Sequence, residues 1–258
     1  MPGRSRCAGC DRIVGTAGGG LDLLDDAGRV SADAFAARYR ALRLSEGWVD
    51  PTGTAPVGGR PEPWGRLRSA SRAATLVSRE WPVPEGRVVA DIGSGTGWAH
   101  PLFAGFGVIA FDILPTTPTA GALTVRADMR KLPLCDSTVD AAIFIASIHY
   151  VPLTEAVREA ARVLKGGGLL LVVDSPVYRD EGARDRASAR SAAYYGAAGH
   201  PELASDYHPA GLTELVSVVT GSGFALQELR SEGSIGALWQ RVTRRPPSSL
   251  LVGRRVKV

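Results

Sequence analysis

The segment that most limits what this chain can become is Val88-Val89-Ala90-Asp91-Ile92-Gly93-Ser94-Gly95-Thr96-Gly97, an apolar run that passes straight into a Gly-x-Gly-x-Gly turn. Glycines this dense leave the backbone bare, so a ligand can lie against it while the next helix presents free N–H groups. Further along, Asp112 closes the following apolar run. Doubly wound folds place a carboxylate at this point to accept hydrogen bonds from ribose hydroxyls. Turn and acid together point to a nucleoside-type ligand.

The surrounding pattern agrees. Apolar runs at 87–92, 108–112, 123–126, 139–146 and 169–174 are rich in Val and Ile, and each ends in a polar or Gly-rich turn. Such runs suit strands buried on both faces of a parallel sheet. Between the last two, Thr154 is placed to cap a helix, Val157, Ala160, Ala161 and Leu164 form a stripe that should face the sheet, and Gly166 is placed to end it. Residues 1–84 read as a loop-rich extension with two helical patches. In one, Phe35, Tyr39 and Leu42 follow Ser31 as N-cap; the other spans 69–78, and residues 50–59 between them read as a loop. Residues 85–258 read as the main domain, with a polar, aromatic insertion at 176–210, a helix from Leu212 to Gly221, and two last strands at 224–230 and 249–254 that would close the sheet as a hairpin.

A nicotinamide dinucleotide is the first rival ligand, but its fingerprint is G-x-G-x-x-G, with the helix end facing a pyrophosphate. The glycine spacing here is one residue tighter, and Asp91 stands two positions before the first glycine. A carboxylate there suits the cationic amino-acid end of S-adenosylmethionine better than a diphosphate. From about residue 85 to 175 the chain resembles the class I S-adenosylmethionine-dependent methyltransferases. Asp91-Ile92-Gly93-Ser94-Gly95-Thr96-Gly97 is similar to their first motif, Asp112 to their ribose-binding acid, and Ala127-Asp128-Met129 to their third motif. Asp140-Ala141-Ala142-Ile143-Phe144 resembles their fourth strand, and residues 162–169 the helix-turn-strand after it, with Gly166 where many relatives have proline. The resemblance implies an α/β fold, a Rossmann-like doubly wound, mostly parallel sheet with a C-terminal antiparallel hairpin, here carrying an N-terminal lid extension. It implies S-adenosyl-L-methionine as cofactor and S-adenosyl-L-homocysteine as product. Asp91 would face the cofactor's amino-acid end, Gly93, Ser94, Gly95 and Gly97 would bring the backbone against it, Asp112 would hold the ribose and Asp128 and Met129 the adenine, with Ile113 and Ala146 also expected to bind the cofactor.

Methyl transfer to oxygen or nitrogen needs an aligned nucleophile and, where it carries a proton, a base. After the fourth strand the chain reads Ala146-Ser147-Ile148-His149-Tyr150, and His149 is the expected general base, since imidazole titrates near neutral pH. Tyr150, with Tyr194, Tyr195, His200, Tyr207 and His208 of the insertion, is expected on the acceptor side, and Tyr39 with Trp48 as a lid over the sulfonium. Each of these residues has a packing role as its alternative.

Charge and cysteines set the remaining limits. The net charge is +4, and only Lys131, Lys165 and Lys257 among the 30 basic residues are lysine. That bias reads as an arginine-favouring composition, and the dense C-terminal set Arg241, Arg244, Arg245, Arg254, Arg255 and Lys257 as a solvated edge. Cys7 and Cys10 form half of a zinc ribbon, but Cys135, expected in the core, is the only other cysteine, so no metal site is expected. No run approaches the about 18 apolar residues of a membrane span, and the basic start lacks a secretory segment, so the expected location is the cytoplasm. The leading reading is methyl transfer to a small-molecule acceptor. Methylation of ribosomal or transfer RNA, with RNA as partner, and a non-catalytic cofactor-binding protein are the alternatives. The sequence leaves oligomeric state open.

Overall fold

The computed structural model describes residues 5–6, 13–17, 19–47, 49, 64–115, 118–231 and 249–257. Cys7, Cys10, Trp48, the loop at 50–59 and Arg241, Arg244 and Arg245 lie outside the described residues. In chain order the strands and helices are β1 (Ser5–Arg6), β2 (Ile13–Ala17), β3 (Gly20–Asp22), α1 (Asp26–Ser45), α2 (Trp64–Glu80), β4 (Val88–Ile92), β5 (Gly107–Asp112), β6 (Ala122–Arg126), β7 (Val139–Ile145), α3 (Leu153–Val163), β8 (Leu164–Val173), β9 (Val177–Tyr178), α4 (Glu181–Ala197), β10 (Ala210–Gly211), α5 (Leu212–Gly221), β11 (Phe224–Ser231) and β12 (Ser249–Arg255).

Side-chain alternation along the central strands sets the layers, because successive residues of a strand point to opposite faces. Val89 of β4, Ala141 and Ile143 of β7, and Leu169 and Leu171 of β8 pack on one face with Ala70, Ala73 and Val77 of α2. Ala90 and Ile92, Ala142 and Phe144, and Leu170 and Val172 pack on the other with Val157 and Ala160 of α3 and Leu215 and Val219 of α5. The result is a three-layer α/β sandwich. Its sheet runs β1-β2-β3-β6-β5-β4-β7-β8-β12-β11, parallel from β3 to β8. As expected, the last two strands form an antiparallel hairpin, with β12 against β8 and β11 on the edge.

Several local expectations are corrected. The front contributes three strands, β3 pairing in parallel with β6, where only helices and loops were expected. Asp25, not Ser31, caps α1, its carboxylate accepting from Gly28 N–H at 2.8 Å. Pro152 rather than Thr154 precedes the first residue of α3, and α3 ends at Val163 with no glycine cap. The glycines after it belong to β8, where a side chain on Gly168 would come 2.8 Å from Asp140 O. The insertion is largely helical: α4 and a 3₁₀ segment, Pro201–Asp206, with β9 and β10 paired as a separate two-stranded ribbon. Cys135 is exposed, not in the core.

Candidate active site

β4 lies between β5 and β7, so its outgoing chain and that of β7 leave the sheet in different directions and open a crevice at the strands' C-terminal ends. The glycine turn is clamped over this crevice. Gly93 N–H and Ser94 N–H both donate to Phe111 O, at 2.8 and 3.0 Å, and Ser147 Oγ donates to Ile92 O at 2.5 Å. Gly93 has φ +74°, and a Cβ there would collide with the Ser147 side chain. Gly95, at φ +56°, has no described atom beyond its chain neighbours within 4 Å of where a Cβ would stand. The first glycine is thus required by the fold, and the second leaves room for a ligand.

Asp112 ends β5 beneath the turn. Its Oδ2 accepts from Gly95 N–H at 2.7 Å and its Oδ1 from Leu114 N–H at 2.8 Å. Burial raises its carboxyl above the usual range, with those two N–H groups working against the rise. Asp91 is also buried, and its Oδ1 has no hydrogen-bond partner among the described residues. Such an oxygen is costly unless something pairs with it. An orphaned carboxylate oxygen, a bare glycine and a second buried acid fit a ligand bearing a cationic group and ribose hydroxyls.

These residues border a cavity of about 700 Å³, also lined by Ser94, Ile113, Asp128, Met129 and Ala146. Ala146 adopts φ +53° at the end of β7, an unusual conformation for a residue with a Cβ. Asp128 accepts from Arg130 N–H at 2.8 Å and pairs with its guanidinium at 2.6 Å. Gly97 lies outside the lining. Its missing side chain serves Thr119 and His100, which stand 2.6 and 2.7 Å from where a Cβ would be.

The other wall is α1. Tyr39 lines the cavity, stacked on Phe35, and its hydroxyl lies 3.3 Å from that of Tyr150. Arg43 sits 4.6 Å from the Tyr39 ring centroid, pairs with Glu46 at 2.6 Å and reaches Tyr150 Oη at 3.4 Å. Burial and Tyr150 hold the Tyr39 hydroxyl well above the usual phenol range. Arg126, buried at the end of β6, donates to Ile113 O at 2.9 Å and pairs with Asp33 of α1, joining lid and cofactor-side loop. α2 belongs to the sheet layer instead of the lid.

On the acceptor side the structure divides the expected residues. Tyr150 and His208 line the cavity, together with Asp206, which the sequence reading missed. His149 does not. The 3₁₀ turn Ile148–Tyr150 buries its ring between Tyr150 and Tyr207, with centroids 4.5 and 5.3 Å away. Tyr195 packs with Leu42 and Leu203, Tyr207 borders that cluster, and Tyr194 is 45% exposed, so none of the three reaches the cavity. Burial raises the Asp206 carboxyl, against the pull of His208, Arg38 and Arg130. Proximity in sequence to the fourth strand did not place His149 on the cavity, whereas the path of the insertion brings Asp206 and His208 to its lining.

Comparison with known proteins agrees with this geometry. Residues 90–172 match the family described as methyltransferase domain. An uncharacterized methyltransferase of Mycobacterium tuberculosis is 34% identical over 105 residues, 36% of this chain and 42% of its own length. The chain thus spans about two fifths of that relative. A protein of Encephalitozoon cuniculi named as a methyltransferase is 30% identical over 156 residues, covering 56% of this chain and 73% of its own. Among solved structures, geranyl diphosphate methyltransferase in complex with GPP and sinefungin shares the fold at a TM-score of 0.58 and 15% identity, over 87% of this chain and 99% of its own. With motif, sheet order and relatives in accord, the chain belongs to the class I S-adenosylmethionine-dependent methyltransferases.

Proposed function

We propose that this protein transfers the methyl group of S-adenosylmethionine to an oxygen or nitrogen of a small-molecule acceptor. The observation that carries the reading is the shape of the cavity beyond the cofactor residues: an aromatic and polar wall of Phe35, Tyr39, Arg43, Tyr150, Asp206 and His208 rather than an open basic trough. The whole cavity, cofactor-side residues included, has a volume of about 700 Å³, within the range of small-ligand sites. The described part of the basic C-terminus supports the same choice. Arg254 pairs with Glu80 at 2.6 Å, and Arg255 donates to the carbonyls of Ala161, Ser222 and Gly223, so both guanidinium groups serve the fold.

In this reading Asp91 takes the cofactor's ammonium group, Asp112 its ribose hydroxyls, and Ile113, Asp128 and Met129 flank the adenine. When bound, the cofactor supplies an electrophilic methyl carbon on a sulfonium. The chain's own part is to position and to move a proton. Tyr39 and Tyr150 present hydroxyls that can orient the acceptor atom in line with the methyl, which accounts for much of the rate in such displacements. Asp206, with His208 beside it, takes the acceptor's proton on a carboxylate oxygen. α1 and the insertion exclude water, so hydrolysis of the cofactor does not compete.

The test is titration calorimetry with S-adenosylhomocysteine and with a nicotinamide dinucleotide, followed by transfer of labelled methyl to a panel of phenols, amines and carboxylic acids. Heat with the former alone and label in a small acceptor are expected. Dinucleotide binding would overturn the cofactor, and label appearing only in RNA, with steep salt dependence, would overturn the acceptor class.

A further inference from the structure

Behind Asp91 stands an imidazole that the motif pattern does not single out. His100 opens the 3₁₀ turn His100–Phe103, and its side chain and that of Asp91 are each 2% exposed. One ring nitrogen, Nδ1, lies 3.0 Å from Thr119 Oγ1. The other, Nε2, lies 3.2 Å from Asp91 Oδ2, off the alignment of a full hydrogen bond, and has no other partner among the described residues. The tautomer that suits both neighbours accepts from the Thr119 hydroxyl at Nδ1 and carries its hydrogen on Nε2, toward the carboxylate.

The third glycine of the motif exists for this pair. Gly97 borders no part of the cavity, and any side chain on it would displace the His100 ring and the Thr119 hydroxyl. His100 itself stays outside the cavity while Asp91 faces it. The carboxylate is therefore held from behind at Oδ2, with Oδ1 buried and, among the described residues, unpaired. We propose that His100 is a positioning residue for the amino-acid end of the cofactor: braced by Thr119, it fixes the Asp91 carboxylate so that Oδ1 is presented to the ligand's ammonium group. The proposal rests on the reading of S-adenosylmethionine as the ligand.

The experiment is calorimetry on the full chain with two probes, S-adenosylhomocysteine and 5′-methylthioadenosine, which lacks the amino-acid end. His100→Ala is expected to weaken S-adenosylhomocysteine by about tenfold or more, the scale of a hydrogen bond to a charged group, and to leave methylthioadenosine within about twofold. His100→Gln, whose amide N–H can reach the carboxylate, should recover most of the loss, and Thr119→Val should reproduce part of it. These two variants also carry the test if the alanine variant does not fold. Equal losses for both probes would reduce His100 to packing and overturn the proposal, as would unchanged affinity for S-adenosylhomocysteine. A wild-type protein that binds neither probe would instead overturn the cofactor reading on which it rests.

Discussion

Gly95 N–H donates to Asp112 Oδ2 at 2.7 Å, so the glycine turn after β4 and the acid ending β5 form one hydrogen-bonded unit. Gly95→Ala should spare that unit in the free protein, since among the described residues no atom beyond its two chain neighbours lies within 4 Å of the new methyl group. The left-handed backbone costs about 1–2 kcal/mol, a fall of roughly 2–8 °C in Tm for a chain of this size. The methyl projects where the ligand would lie, and affinity for S-adenosylhomocysteine should drop more than about tenfold. Gly93→Ala should behave differently, because its methyl meets Ser147. Melting curves beside calorimetry would show binding lost with only that modest fall in Tm in the first variant and a larger loss of stability in the second.

Asp112 gives a second prediction through its charge. Burial raises its folded carboxyl above the unfolded value. The folded state therefore holds the proton more tightly, and the stability this provides is complete below the unfolded value and lost as pH rises through the folded one. Relative to Asp112→Asn, the ligand-free wild type should lose stability from acid toward neutral pH. In the proposed reading, ribose hydroxyls donating to the ionised group would reverse the balance. At about 100 times Kd, S-adenosylhomocysteine should add about 2.7 kcal/mol to the wild type and almost nothing to the variant, read as thermal shifts.

The residues that local chain order dictates were legible in the sequence. Val88 to Gly97 and Asp112 had to meet once β4 and β5 paired in parallel, and the register places Ile92 beside Phe111. The hairpin of β11 and β12 followed from two runs of strand length. What escaped depended on direction and distance. β3 is three residues long and offers no periodicity to detect. His100, a lone histidine beyond a turn, resembles any residue of a starting helix until Asp91 is seen at its back. His208 and not His149 borders the cavity because one 3₁₀ turn rotates the latter inward, while its carbonyl accepts from His208 N–H at 2.7 Å and draws the insertion across the cavity.

Asp140 should show the opposite pH behaviour to Asp112. Burial pushes its carboxyl up, but Lys165 at 2.8 Å, Val88 N–H at 2.9 Å and Arg87 at 3.0 Å together outweigh it and hold the group below the usual range. The resulting stability is present above the unfolded value and lost as pH falls through the folded one. Asp140→Asn should cost about 1.5–3 kcal/mol near neutral pH, since hydrogen bonds to a charged group are removed where β4, β7 and β8 begin. Urea midpoints should show the gap between variant and wild type closing toward the acid end.

The last prediction separates the expected base from the one the cavity presents. Asp206 borders the cavity and His149 does not. With an acceptor from the panel, Asp206→Asn should leave S-adenosylhomocysteine affinity within about twofold and lower the transfer rate by about 10²–10⁴-fold, the usual range for a general base. The wild-type rate should fall on its acid side as Asp206 takes a proton, at a pH above the ordinary carboxylate range because burial raises this group. That limb should vanish in the variant. His149→Gln should keep the acid limb, its effect passing only through the packing of Tyr150 and Tyr207. An acid limb that survives in Asp206→Asn and disappears in His149→Gln would return the proton to the imidazole and require the Ile148–Tyr150 turn to swing open during the reaction.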